Sequence, residues 1–348
     1  MTLFVGLGLL MVLGLYAMRP TFSGAPYFRI VERAPGTRVT VTPVDSWKPI
    51  LPGGWVLGQV SGVTVDTHDR LWVLHRPSTV ANDLNTAPPL LHLKADGELI
   101  AAYGEPGLLE NWPQSEHGLF VDHAGDLWVT GNGPDDNAIF KLAGNKQSAT
   151  RFGGSASPSH ATGDALGGPA DVWVDSQTGI AYVADGYRHR RVAAFAADTS
   201  ELVGEWPAHG MTLGLPVHCV IGTSDRQLFV CDRANNRIQM FNIADDGALT
   251  WRSDIPIAPE TEGNGSVWDV AFSPDERLIY VADGENERVW IVDRATEIVI
   301  GHFGTEGHGP GQFSWLHHLD TDSQGNLYTV EVGDGRRVQK FNITVEQE

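Results

Sequence analysis

The sequence predicts an all-β chain folded as a six-bladed β-propeller behind an N-terminal hydrophobic segment. Three observations predict it. From residue 59 onward, apolar runs of about five residues alternate with turns rich in Asp, Gly, Ser and Asn, as strand meanders do. A strand–turn–strand template recurs six times at a spacing of roughly 50 residues, the period of propeller blades. After residue 20, amphipathic stretches with a 3.6-residue period are hard to find, which disfavours a helical solenoid.

Residues 1–20 stand apart. Leu3 to Met18 is uncharged and apolar, and Arg19-Pro20 ends it. Its length suits the core of a signal peptide and falls slightly short of the roughly 20 residues that span a bilayer. No Lys or Arg precedes it and no clear small-residue cleavage site follows, so a signal peptide and an uncleaved membrane anchor are both compatible with it. Either places the remainder outside the cytoplasm, secreted or anchored, with the membrane touched only through this segment. Residues 21–58 are rich in Pro and Gly and read as a linker plus a strand, Arg38 to Thr42, that could close the array.

Residues 59–346 hold the propeller. The first two strands of each unit read SGVTVDTHDRLWVL from Ser61, HGLFVDHAGDLWVT from His117, ADVWVDSQTGIAYVAD from Ala170, HCVIGTSDRQLFVCD from His218, WDVAFSPDERLIYVAD from Trp268 and HHLDTDSQGNLYTVE from His317. A third strand recurs as RRVAAF (190–195), NRIQMF (236–241), ERVWIV (287–292) and RRVQKF (336–341). One such sheet cannot bury both faces; six arranged radially bury them against each other.

The formal charge of −19 sets the chain against nucleic-acid phosphates. Cys219 and Cys231 lie on consecutive strands of one unit, compatible with a disulfide in an oxidising compartment or with two buried free thiols.

The residues that open the first strands are Ser61, His117, Ala170, His218, Trp268 and His317. In a propeller these strands line the central channel, so the six positions form a ring. His occupies every second unit. Alternate blades of six lie about 120° apart, so His117, His218 and His317 should converge on the axis, offering three imidazoles and an open fourth position. Zinc suits such a site, although nickel, copper, cobalt or iron could use it. The other ten histidines do not share this register. His68, His75, His92, His123, His160, His189, His209, His302 and His308 read as structural or surface residues. His318 should face away from the channel by the strand period of two.

The turns after the second strands open on the same mouth. They carry His75-Arg76, Asp185-Gly186-Tyr187 and Asp232-Arg233. Arg76 and Arg233 suit a carboxylate. A Tyr near positive charge has its phenolate favoured, which equips Tyr187 as a base. Asp185, Asp232 and Asp283 read as turn caps.

The pattern V-x-D-x-x-N-x-R-[IV]-x-x-F, seen in VCDRANNRIQMF and more loosely in VADGYRHRRVAAF, resembles the NHL-repeat propellers over about residues 59–342. More narrowly, HGLFVDHAGDLWVT, LPVHCV, WLHHLD, ADGYRHRR, WVLHRPS and CDRANNR together resemble peptidyl-α-hydroxyglycine α-amidating lyase. The resemblance implies zinc on His117, His218 and His317, catalysis by Tyr187 with Arg76 and Arg233, and a peptide or small-molecule substrate that bears a carboxylate. It also implies a structural calcium on the carbonyls of Val63 and Leu119 and an Asp, but His318 stands at the Asp position. Neither of that family's two disulfides corresponds to Cys219 and Cys231, and its copper-dependent hydroxylating domain is absent. Two other readings are a non-catalytic extracytoplasmic propeller that binds a protein or small-molecule partner, and a lactonase-like metal hydrolase. The hydrolase would need acidic residues in the channel register, which the ring of first residues lacks.

Overall fold

A computed structural model describes residues 37–347 apart from 105–111, 145, 147, 155–163 and 208–212. The N-terminal hydrophobic segment, His160 and His209 lie outside the described residues.

The chain is a six-bladed β-propeller of four-stranded antiparallel sheets. The blades in order are β2 (Gln59–Val65), β3 (Leu71–Arg76), β4 (Leu90–Leu93) and β5 (Leu99–Tyr103); β6 (Glu116–Val121), β7 (Leu127–Gly131), β8 (Ile139–Leu142) and β9 (Ala149–Phe152); β10 (Pro169–Asp175), β11 (Ile180–Asp185), β12 (Arg191–Ala196) and β13 (Leu202–Pro207); β14 (Val217–Gly222), β15 (Gln227–Asp232), β16 (Arg237–Ile243) and β17 (Leu249–Pro256); and β18 (Asp269–Phe272), β19 (Leu278–Asp283), β20 (Arg288–Asp293) and β21 (Ile298–Phe303). The sixth blade joins β22 (Leu316–Thr321), β23 (Leu327–Glu331) and β24 (Val338–Gln347) to β1 (Thr37–Pro43), which pairs with β24 from Thr37 opposite Gln347 to Pro43 opposite Phe341. The ring is thus closed by its two ends in one sheet, and no edge is left at the junction.

Local chemistry fixes each blade. The tight turn after the first strand is an Asp-led turn: Asp66, Asp122 and Asp322 accept from the N–H groups two and four residues on. The recurrent Asp and Arg form a latch between second and third strands. Arg191 Nε donates to Asp185 at 2.8 Å, Arg237 Nε to Asp232 at 2.7 Å and Arg337 Nε to Glu331 at 2.7 Å. The carboxylates of these pairs are fully buried, which makes their partnering obligatory. Asp185 and Asp232 also accept from Gly167 N and Gly214 N, and Asp283 accepts from Asn286 N, so the expected turn-capping role holds.

Neighbouring blades bury apolar faces against each other. Between the third and fourth blades, Tyr182, Val192 and Leu213 pack with Val217, Val230 and Phe241. Outer strands such as β5 and β13 bury only alternate or partial faces, whereas β7, β11 and β19 are buried throughout. Burial in these blades is therefore deepest at the second strand and falls off towards the outer edge. Cys219 on β14 and Cys231 on β15 are joined as a disulfide, which resolves the two alternatives for that pair.

Candidate metal centre

The first strands bend at their channel ends. Pairing slips between Val60 and Gly62, Glu116 and Leu119, Pro169 and Asp171, Val217 and Val220, and Leu316 and His318. Each slip is a bulge that breaks the alternation of side chains. The histidines stand inside these bulges.

His117, His218 and His317 meet on the axis. Their ring centroids are 4.6, 4.8 and 5.1 Å apart, and one nitrogen of each lies within 4.8 Å of the others. Every ring is pinned the same way. His117 Nδ1 lies 2.7 Å from Ala170 O, His218 Nδ1 2.5 Å from Trp268 O and His317 Nδ1 2.7 Å from Ser61 O. A carbonyl can only accept, so Nδ1 carries the proton and Nε2 presents its lone pair to the channel. The odd blades thus do a second job: their ring positions lack imidazole but orient the imidazoles of the even blades. Burial, first of all, pulls all three rings well below the ordinary histidine range, and positive neighbours add to it, Arg76 and Arg233 among them. They are neutral donors at neutral pH, the form a metal takes. This trio of imidazoles could hold a metal ion.

Tyr187 follows β11 and brings its hydroxyl to this centre, 2.8 Å from His117 Nε2 and 3.2 Å from His218 Nε2. Gly186 before it has no room for a Cβ, which would fall 1.8 Å from Val217 O. Arg76 ends β3. Its Nε donates to Glu116 O at 2.8 Å and its Nη1 to Gln59 Oε1 at 2.9 Å, which fixes the guanidinium plane. Arg233, buried, stacks over Trp268 at 4.3 Å and hydrogen-bonds Tyr187. All six residues read from the sequence as zinc ligands or catalytic groups therefore converge. Behind Arg76, a cavity of about 660 Å³ is lined by Trp55, Pro77, Ala87, Pro88, Trp112 and Glu116. Burial raises the Glu116 carboxyl to about 7, and Trp112 Nε1 donates to it.

Two expectations need correction. His318 does not face away from the channel: the slip between Leu316 and His318 turns both neighbours inward, and His318 approaches Asp269 of the fifth blade at 3.2 Å. Nor does the channel lack acidic residues, since Asp171 and Asp269 line it one register deeper. Of the backbone carbonyls proposed for calcium, that of Val63 lies 3.1 Å from His318 Nδ1, while Leu119 sits buried on β6. Gln59, Trp268 and the orienting carbonyls were not singled out by sequence. The carbonyls carry no side-chain signal, but Trp268 was visible as a ring position.

No family model matches the chain. It is 27% identical over 251 residues to peptidyl-glycine alpha-amidating monooxygenase A of Xenopus laevis, which covers 66% of this chain and 25% of that protein. It is 25% identical over 220 residues to a probable peptidyl-alpha-hydroxyglycine alpha-amidating lyase of Caenorhabditis elegans, covering 59% of this chain and 62% of that one. The chain thus spans about a quarter of the monooxygenase relative it matches. Among solved structures, a streptogramin B lyase superposes with a TM-score of 0.55 at 15% identity, over 88% of this chain and 98% of that one. An auxiliary nutrient binding protein from Bacteroides thetaiotaomicron does so with 0.61 at 12%, over 88% and 77%. These structures share the propeller alone, while the sequence relatives support the resemblance to the amidating lyases.

Proposed function

We propose that the chain is a zinc-dependent carbon–nitrogen lyase that cleaves a peptidyl- or N-acyl-α-hydroxyglycine into an amide and glyoxylate. The observation that carries this reading is the Tyr187 hydroxyl, placed 2.8 and 3.2 Å from two of three imidazoles whose Nδ1 atoms are all tied back. The donor set fits zinc: three neutral nitrogens that face one point and leave a position for an oxygen.

Zinc on His117, His218 and His317 would supply Lewis acidity to the substrate hydroxyl. Arg76 and Arg233, both neighbours of Tyr187, hold the substrate carboxylate. Arg76 is aimed by Gln59 and Glu116, and Arg233 by the face of Trp268. Tyr187 takes the hydroxyl proton. The C–O bond becomes a carbonyl as the C–N bond breaks, its electron pair leaving on the amide nitrogen, which takes a proton. The products are glyoxylate and the amide. The two guanidinium groups offset negative charge as it grows on oxygen. The aromatic cavity behind Arg76 gives an apolar acyl or peptide portion a place to lie. The Cys219–Cys231 disulfide supports an extracytoplasmic setting, secreted or anchored.

The test is release of glyoxylate from an N-acyl-α-hydroxyglycine by the zinc-loaded protein. Wild type should turn over, and Tyr187→Phe should lower kcat by about 10²-fold or more with the zinc content unchanged. No glyoxylate from the zinc-saturated wild type would overturn the reading; normal turnover by the variant would remove Tyr187 from it.

A further inference from the structure

The cavity beside Arg76 has a volume of about 660 Å³, within the range of small-ligand pockets. It is joined to the metal centre through single residues. Pro77, which follows Arg76, and Glu116, which precedes His117, both line it. Arg76 Nε donates to Glu116 O at 2.8 Å, so the guanidinium that meets the substrate carboxylate rests on the cavity wall. Trp55 and Trp112 contribute half-buried indoles, and Pro77, Pro88 and Pro113 contribute apolar surface. Among the described lining residues, Glu116 alone is charged.

Two features make this wall selective. The first is the carboxylate. Glu116 is only 5% exposed, yet it lines the cavity. Trp112 Nε1 donates to it at 2.8 Å and fixes its direction. Among the described residues, no Lys, Arg or His side chain hydrogen-bonds this carboxylate. Arg76 acts on it through space, while Arg76 Nε and Nη1 donate to Glu116 O and Gln59 Oε1. A carboxylate has about four acceptor positions, and a buried one is costly until a cation or enough donors meet it. Charge balance points the same way. When Arg76 pairs with a substrate carboxylate, Glu116 loses part of its compensation, and a cation on the same substrate restores it. The second feature is the aromatic surface. Indole faces attract cations, and the methylene stem of a long basic side chain packs on apolar walls. An acidic substituent would instead meet Glu116 at like charge, in a chain whose formal charge is already −19.

We infer that this cavity binds a basic side chain, of the Lys or Arg type, on the residue that precedes the α-hydroxyglycine, with Glu116 as its ion-pair partner and Trp55 and Trp112 against its stem. The substrate class narrows accordingly, from any peptidyl- or N-acyl-α-hydroxyglycine to one that carries a cation next to the reacting centre. This deepens the lyase reading and rests on it for the identity of the substrate, whereas the cavity's preference for a cation requires no turnover.

The experiment has two arms, both on zinc-loaded full-length protein. The first measures, by calorimetry, the binding of Nα-acetyl-lysinamide and of Nα-acetyl-norleucinamide, which has nearly the same shape without the charge. Wild type should bind the lysine compound on the order of 10-fold more tightly, and Glu116→Gln, which keeps the shape of the side chain, should bind both alike. Equal affinities in wild type, or tighter binding of the norleucine compound, would overturn the site. A lysine preference that survives Glu116→Gln would overturn it too. The second arm compares glyoxylate release from the two corresponding peptidyl-α-hydroxyglycines, as a ratio of kcat/KM within each protein. Wild type should favour lysine by a similar factor, and the ratio should fall toward unity in Glu116→Gln. Absence of glyoxylate from both substrates would count against the lyase reading alone, and the binding arm would still decide the cavity. Should Glu116→Gln fail to fold, wild type decides with Nα-acetyl-glutamic acid amide as a third ligand: it should bind weakest, and binding as tight as that of the lysine compound refutes the site.

Discussion

The two rings on the axis are built from adjacent residues of the same strands, yet they differ in symmetry, charge and openness. The upper ring uses one donor type from every second blade, and each imidazole leans on a carbonyl of the blade between. The lower ring brings Asp171, Asp269 and His318 together from blades three, five and six, and its two carboxylates accept from backbone N–H groups of the next blade. Three neutral imidazoles leave an ion its full charge to act on a substrate, with Tyr187 and two arginines at the mouth. Asp171 and Asp269, whose carboxyls burial pushes above the usual range, instead pin neighbouring blades to each other through Val220 N and Leu319 N. The comparison teaches that a bulge in an inner strand, as at His317 and His318, can bring two adjacent side chains to the axis in different surroundings.

The strongest way to break this comparison is to remove one upper imidazole. His218→Ala should abolish the upper ion and lower glyoxylate release by on the order of 10³-fold or more, since outer-shell groups alone cost 10- to 100-fold. His318→Ala should leave Tyr187 and the upper ring in place and lower turnover far less. Parallel metal counts and kcat measurements check this. Equal losses in both variants would mean that the two rings act as one site.

A milder intervention acts on the strand that carries His218. Cys219 occupies the lower-ring register in the fourth blade, and its bond to Cys231 closes the hairpin of β14 and β15 over a separation of 12 residues. Replacing both by Ala should cost about 2–4 kcal/mol of unfolding free energy, read from denaturant melts. The zinc count should stay as in wild type, because neither sulfur is a ligand. A change in zinc binding would show that the disulfide positions His218 rather than merely stabilising its hairpin.

The upper ring was legible because a repeat protein writes equivalent positions at equal spacing. His117, His218 and His317 stand about 100 residues apart, and the period alone puts them on one axis. Tyr187, Arg76 and Arg233 were legible for the same reason: each stands at or just after the end of a second strand. The lower ring was hidden by a rule that fails locally. Alternation sends His318 outward, and a bulge overrides it. Asp171 and Asp269 lie in an aligned column, but glycines and a cysteine fill half of that column and conceal it. Gln59 and the carbonyls of Ser61, Ala170 and Trp268 could not be read, because their role comes from contact between blades, which no local pattern encodes.

The smallest effect separates a structural histidine from those of the ring. His75, fully buried on β3, has both nitrogens satisfied by the protein: Gly58 N donates to Nδ1 at 3.1 Å, and Nε2 lies 3.0 Å from Pro88 O. Burial pushes it down to about 4 from 6.5. A histidine that binds its proton less readily when folded contributes its full stability above pH 6.5. That contribution declines as pH falls toward 4, because the unfolded chain gains the proton first. The loss should be on the order of 1 kcal/mol by pH 5.5. In His75→Gln, unfolding free energy should fall less steeply between pH 7 and 5.5 than in wild type, measured on metal-free protein. Zinc should leave this difference intact, since no nitrogen of His75 faces the channel, whereas the part of the acid limb that belongs to His117, His218 and His317 should shift with zinc concentration. A His75→Gln slope equal to that of wild type would mean that the ring histidines alone set the acid sensitivity.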